Sequence, residues 1–186
     1  STLAGMASFL TFFAYIASSP FILQKTYGLS PIAYSLCFGF IAFTIGIGSL
    51  FGAQFKHQNT ALKAASIHLF LGSIATAICL ILHAPLFILL TSYVWMVMGF
   101  GLMQPAAIAI AMDSERSRAG AASAIFGASG FVAGAIASPL VSLGDISITS
   151  SAVMLTGAVI CLFLSLSLCR QVKTEALAGK DKSSKI

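Results

Sequence analysis

Charge is what this sequence has least of. Only 8% of its 186 residues are Asp, Glu, Lys or Arg, where soluble domains carry about a quarter, so the chain is not written to face water. The five acidic residues all fall outside the long apolar runs, which removes the intramembrane carboxylates that usually relay protons. Histidine is sparse too, and His57, His68 and His83 all lie in the first half. The four cysteines, Cys37, Cys79, Cys161 and Cys169, stand singly within or at the ends of apolar segments. They have no metal-ligand spacing and read as small buried apolar residues. No cofactor is expected. The first apolar run is as long as the others and lacks a basic leader, so no cleavable signal peptide is evident. The sequence opens at Ser1 without a Met, and the chain is expected to be a fragment or the later part of something longer.

What is abundant is apolar length. Hydrophobic residues make up 58% of the chain and the mean hydropathy is +0.98. A hydrocarbon core roughly 30 Å thick needs about 20 apolar residues per helix. Six runs meet that length, at about 3–23, 32–55, 64–82, 86–112, 119–143 and 148–169. They are continuous rather than alternating, which predicts helices and not a barrel. Residues 1–170 therefore read as one six-span bundle, and 171–186 as a basic tail expected to be disordered.

The net charge of +5 is explained by where it sits. Arg170, Lys173, Lys180, Lys182 and Lys185 fill the tail, which marks a membrane surface and not a nucleic-acid site. Lys56, Lys63, Arg116 and Arg118 occupy the loops after spans two and four, and only Lys25 lies on the opposite side. Nine basic residues against one is a positive-inside signal, and it predicts a multi-pass protein with both termini in the cytoplasm.

The organising stretch runs from Asp113 to Pro139. A collar of Asp113, Glu115, Arg116 and Arg118 precedes an uncharged span in which Gly120, Gly127, Gly130 and Gly134 recur among Ala and Ser. Such spacing lets helix backbones approach. A repeat is visible around it. Pro20 and Pro105 are 85 residues apart, while the pairs Gly48/Gly52 and Gly130/Gly134 are 82 apart. Two triplets of three spans have opposite orientations in the bilayer, the 3+3 inverted repeat of many secondary transporters. Gly48, Gly52, Gly127, Gly130 and Gly134 are then helix-packing positions, and Pro20 and Pro105 are kinks or hinges.

One motif points elsewhere. Gly127-Ala128-Ser129-Gly130 has the GxSG form of an intramembrane serine protease nucleophile, but that chemistry needs a general base. In such proteases the base is a histidine on a later helix, and no histidine follows Ser129. Polar groups able to face a cavity are Tyr15, Ser18 and Ser19 on span one, Tyr34 on span two, Tyr93, Trp95 and Gln104 on span four, and Ser129 on span five. Trp95 and Tyr93 also suit an interfacial aromatic belt. His68, near the start of span three, reads as packed or interfacial.

The stretches Tyr15-Ile16-Ala17-Ser18-Ser19-Pro20-Phe21-Ile22-Leu23-Gln24 and Tyr27-Gly28-Leu29-Ser30-Pro31 resemble the start of the C-terminal half of major facilitator drug:proton antiporters of the Bcr/CflA type. Gly101 through Pro105 into Met112 is similar to that family's span before last but one. Ala119 to Ala124 with Gly127 and Ala137-Ser138-Pro139-Leu140 is similar to its penultimate span. The resemblance implies the C-terminal half of a twelve-span fold in a bacterial inner membrane, with no enzymatic activity. It implies efflux of drug-like small molecules by alternating access, with protons as the coupling ion. The cavity would be lined by the first, second, fourth and fifth spans, with Tyr15, Ser19, Trp95 and Gln104 as pathway residues. A second six-span half is then required, as a separate chain, a missing N-terminal half or a homodimer. The alternative is a truncated membrane remnant or interaction module that transports nothing.

Overall fold

The computed structural model describes residues 2–114 and 118–183, and every regular element among them is helical: α1 Thr2–Phe21, a π-helical turn Ile22–Thr26, α2 Pro31–Ala53, α3 Gln58–Ile81, α4 Leu86–Ser114, α5 Ala119–Val141 and α6 Ile146–Ser183. Six helices are long and apolar enough to cross a bilayer. Glu115, Arg116 and Ser117 of the charged collar lie outside the described residues, as do the side chains of Cys169 and the tail.

Local chemistry sets the ends. Ser30 caps α2, its hydroxyl accepting from the Ala33 N–H at 3.2 Å, with Pro31 at the first helical position, where its missing N–H costs nothing. Asp145 caps α6 by accepting from the N–H groups of Ser147 at 2.9 Å and Ile148 at 3.2 Å. Three described turn positions have positive φ, which favours glycine or costs a small strain: Gly28 at +70°, Gly144 at +116° and His83 at +48°.

Three expectations change. The polar segment after α2, expected as a loop to residue 63, is helical from Gln58, because Ala61 and Leu62 bury against the bundle. His68 consequently sits near the middle of α3 rather than near its start. The first span does not stop at Leu23 but continues through the π turn to Thr26. The tail extends α6 to Ser183, since Glu, Ala, Leu and Lys prolong an already nucleated helix at little cost.

The packing is organised by an exchange of halves. α2 packs on α4, α3 on α4 and on α6, α6 on α1, and α5 on α1, with α1 and α4 crossing at the centre. Exchanging α1 with α4, α2 with α5 and α3 with α6 converts α2–α4 into α5–α1 and α3–α4 into α6–α1, and leaves α3–α6 and α1–α4 as they are. That is the pairing an inverted repeat requires. The match is incomplete, because α5 also leans on α4 and α6.

Glycine makes these crossings possible. A methyl on Gly48 of α2 would stand 2.5 Å from the Met98 carbonyl oxygen of α4, and one on Gly52 would overlap the Leu102 carbonyl. The equivalent pair on α5 meets rings instead: Gly130 faces Phe9 and Gly134 faces Phe13, both of α1. Gly127 does not pack. Nothing lies within 4 Å of the position its Cβ would take, because it points away from α1 on the open side of α5.

Introducing Gly48→Val should therefore destabilise the bundle by about 1–3 kcal/mol, the usual cost of overpacking a core. Gly127→Ala should leave stability unchanged or raise it by up to about 1 kcal/mol through helix propensity. Thermal loss of monodisperse protein in detergent measures both, and equal effects at the two sites would contradict this packing.

Candidate functional site

The α1–α4 crossing carries the densest aromatic packing. Phe12 stacks on Phe100 with centroids 4.2 Å apart and planes at 8°, while Phe9 meets Phe100 and Phe126 edge-on at 5.4 and 5.6 Å. Toward the far end, which holds loops 27–30 and 82–85, tyrosines replace phenylalanines. Tyr15 packs edge-on against Tyr93 at 4.9 Å and parallel to Phe38 of α2 at 6.0 Å and 7°. Both Tyr15 and Tyr93 are fully buried.

The hydrogen bonds around this cluster are local. Ser18 donates to the Ala14 carbonyl at 2.8 Å. Ser19 and Tyr34 share a hydrogen bond at 3.2 Å. Tyr27 donates to the Ala84 carbonyl at 2.6 Å, tying the α1–α2 connection to the α3–α4 turn. Burial, and then the nearby Cys79 thiol, raises the Tyr27 hydroxyl above the ordinary phenol pKa, so it remains a donor. The hydroxyls of Tyr15 and Tyr93 have no partner.

Pro20 and Pro105 each free a carbonyl four residues earlier, and both of these carbonyls are bonded again. Pro20 leaves the Ile16 oxygen, to which Ser19 donates at 3.4 Å, and the π turn follows at once. Pro105 leaves the Gly101 oxygen inside an unbroken α4, and Ser49 of α2 donates to it at 3.1 Å. In hydrocarbon such groups must be satisfied by protein. The second case turns a helix defect into a bond between helices.

Of the four expected pathway residues, the structure brings together Tyr15 and Ser19, one turn apart on α1. Gln104 is on the α1-facing side of α4 but about 16 Å along the helix from Tyr93, at 1.5 Å per residue, and its Nε2 is buried without a partner. Trp95 stands apart. It is 50% exposed, on the edge of α4 next to α3, and stacks on His68 at 5.1 Å and 15°. Its ring fits beside Gly72 of α3, while His68 lies beside Gly99 of α4. Tyr34 and Tyr93 join the cluster. Phe38 and the Ser49 donor were not singled out from sequence, and a pairing of Ser49 with the carbonyl freed by Pro105 has no signature in a single chain. The described cysteines Cys37, Cys79 and Cys161 are free.

Surface cavities lie toward both ends of the bundle. An apolar groove of about 510 Å³ opens between α2 and α4, lined by Leu36, Cys37, Phe40, Phe87, Leu90 and Val94 among others. A polar one of about 470 Å³ at the opposite end is lined by Lys56, His57, Gln58, Asn59 and Asp113 with two apolar residues. Every described Lys, Arg, Asp and Glu side chain is at or near a helix end or in a loop.

The bundle is thus that of a multi-pass membrane protein with a paired, inverted helix arrangement. The chain is 34% identical over 155 residues to YdgK of Bacillus subtilis (strain 168), an uncharacterized MFS-type transporter. Over most of its length the chain is therefore similar to an MFS-type transporter. The match takes in 80% of this chain but only 38% of that protein. No protein-family model and no solved structure matches the chain.

Two outcomes follow from these positions. Ser49→Ala should cost about 0.6 kcal/mol, the average for a bond between membrane helices. In a Pro105→Ala background, where the Gly101 carbonyl regains a helical N–H, the same change should cost almost nothing; a double-mutant cycle measures the difference. Trp95, the single tryptophan, should be strongly quenched by lipids brominated along the acyl chain. Fluorescence insensitive to those lipids would place it in the interior.

Proposed function

We propose that this chain is one six-helix half of a secondary transporter that exports drug-like, amphipathic small molecules across a bacterial inner membrane. The observation that carries the reading is the exchange of packing partners between α1–α3 and α4–α6, the architecture that builds a midplane site between repeats. The relative supports it, being a transporter of which the matched part is well under half.

A second half is needed to close the pathway. Gly39 and Gly46 of α2 and Gly120 and Gly127 of α5 face open space, and α2 and α5 are counterparts in the exchange. These smooth faces suit two helices of a second bundle, supplied by an N-terminal half, a separate chain or another copy. The two halves would rock around the α1–α4 aromatic centre, with the Pro20–π-turn segment and the Pro105 region as hinges. The bias of nine basic residues to one supports a reading with both termini in the cytoplasm. The described part of this half has no carboxylate at mid-depth, so proton coupling falls to the second half.

Everted membrane vesicles test this directly. Vesicles carrying the chain together with a six-helix N-terminal half should accumulate a drug-like dye when a proton gradient is imposed and lose it with an uncoupler. Accumulation at the level of empty vesicles, for the chain alone and for the pair, would remove the transporter reading in favour of a non-transporting remnant.

A further inference from the structure

The polar cavity beside the α2–α3 connection carries charge of both signs. Lys56 and Asp113 line it with His57 and the amides of Gln58 and Asn59, around a volume of about 470 Å³, and both charged side chains are exposed. Helix ends reinforce this polarity. Lys56 lies just before α3, which begins at Gln58, and Asp113 lies in the last turn of α4, which ends at Ser114. A helix is positive at its N-terminus and negative at its C-terminus, so a cation at the first and an anion at the second each oppose the local field. His57, in the capping position of α3, makes no side-chain cap. Local helix electrostatics therefore accounts for neither charge. Together they give the cavity a fixed dipole, with a positive wall at α3 and a negative wall at α4.

The cavity has an apolar neighbour. A second one of about 520 Å³ is lined by Phe51, Gln54, Phe55, Lys56 and Leu102, so Lys56 borders both. Leu102, Ala109 and Asp113, spaced i, i+7 and i+11, share one face of α4. Leu102 is then about 16 Å deeper than Asp113, at 1.5 Å per residue. Phe51 and Phe55 are 55% and 39% exposed, so hydrocarbon reaches them. From the helix ends inward, the surface runs from paired charge to aromatic and aliphatic carbon. That is the order of groups along a phospholipid.

We infer that the two cavities hold one phospholipid with a zwitterionic, primary-ammonium headgroup, phosphatidylethanolamine. Its phosphate lies against Lys56 and the α3 N-terminus, its ammonium against Asp113, and an acyl chain along Phe51, Phe55 and Leu102. A carboxylate has about four lone-pair sites, so the interaction that Asp113 already makes leaves room for another donor. Phosphatidylcholine has the same charges, but its methylated nitrogen has no N–H to donate. Phosphatidylglycerol has no cation and leaves the negative wall unmatched. The site goes beyond the transporter reading and needs only that these helices lie in a bilayer.

The test titrates the purified full chain in detergent with phosphatidylethanolamine, phosphatidylcholine and phosphatidylglycerol of identical palmitoyl-oleoyl chains. Native mass spectrometry reads the affinity of the first bound lipid. Phosphatidylethanolamine should bind about 2- to 5-fold more tightly than either other lipid, the worth of one exposed ion pair. Lys56→Gln should weaken all three, since each has the phosphate. Asp113→Asn should bring phosphatidylethanolamine down to the level of phosphatidylcholine and leave phosphatidylcholine unchanged. Lys63→Gln, at an exposed lysine of α3 that lines neither cavity, should change nothing. Phosphatidylglycerol binding tightest would overturn the proposal. So would an ethanolamine preference that survives Asp113→Asn, or a loss in Lys63→Gln equal to that in Lys56→Gln. Glycerophosphoethanolamine, the headgroup without chains, separates a lipid from a water-soluble ligand. In large excess it should leave the lipid bound, and displacement would overturn the lipid assignment. The three substituted side chains are exposed, and an unchanged thermal midpoint in detergent confirms that each variant folds.

Discussion

Helices in hydrocarbon are held by close contact of their backbones, since lipid tails are as apolar as the side chains, and in this bundle glycine sets how close they come. The α2–α4 crossing is the clearest case. Gly48 and Gly52 on one helix and Gly101 on the other leave no room for a side chain against the opposing backbone. The α3–α4 crossing repeats the device with Gly72 against Met96 and Gly99 against Leu69, and α6 meets α1 through Gly157 beside Thr11. Thr11 then donates to the Met154 carbonyl at 3.0 Å. Once these contacts are made, the aromatic centre between α1 and α4 has only one way to fill.

The two halves of the exchange use that constraint differently. At α2–α4, glycine meets backbone, and Ser49 adds a bond to the carbonyl that Pro105 exposes. At the counterpart α5–α1 contact, glycine meets the rings of Phe9 and Phe13. A ring can turn or slide where a backbone cannot, so α5 is the more easily displaced of the two.

Much of this was legible from the residues. The spacings Pro20/Pro105 and Gly48–Gly52/Gly130–Gly134 announced the repeat, and the structure uses both glycine pairs at equivalent crossings. Tyr15 and Ser19 were marked as polar residues of the first span and do share a cluster. The start of α3 was missed because Gln58, Asn59 and Thr60 look like a loop until Ala61 and Leu62 are seen to bury. Trp95 was marked for its polarity and depth alone, and depth says nothing about direction.

That last point separates the two levels. Composition and run length determined that this is a helical membrane bundle of six spans, because the bilayer imposes its thickness and forbids unpaired backbone on any chain that crosses it. The distribution of basic residues predicts an orientation. Which face each helix turns inward was not decided there. A soluble helix writes its buried side as an apolar stripe, but these helices are apolar all round, since lipid and protein interior ask for the same side chains. Only the tertiary structure decided that Gly130 packs while Gly127 stands open, that Trp95 stacks on His68 at the edge of α4, and that the hydroxyls of two buried tyrosines have no partner.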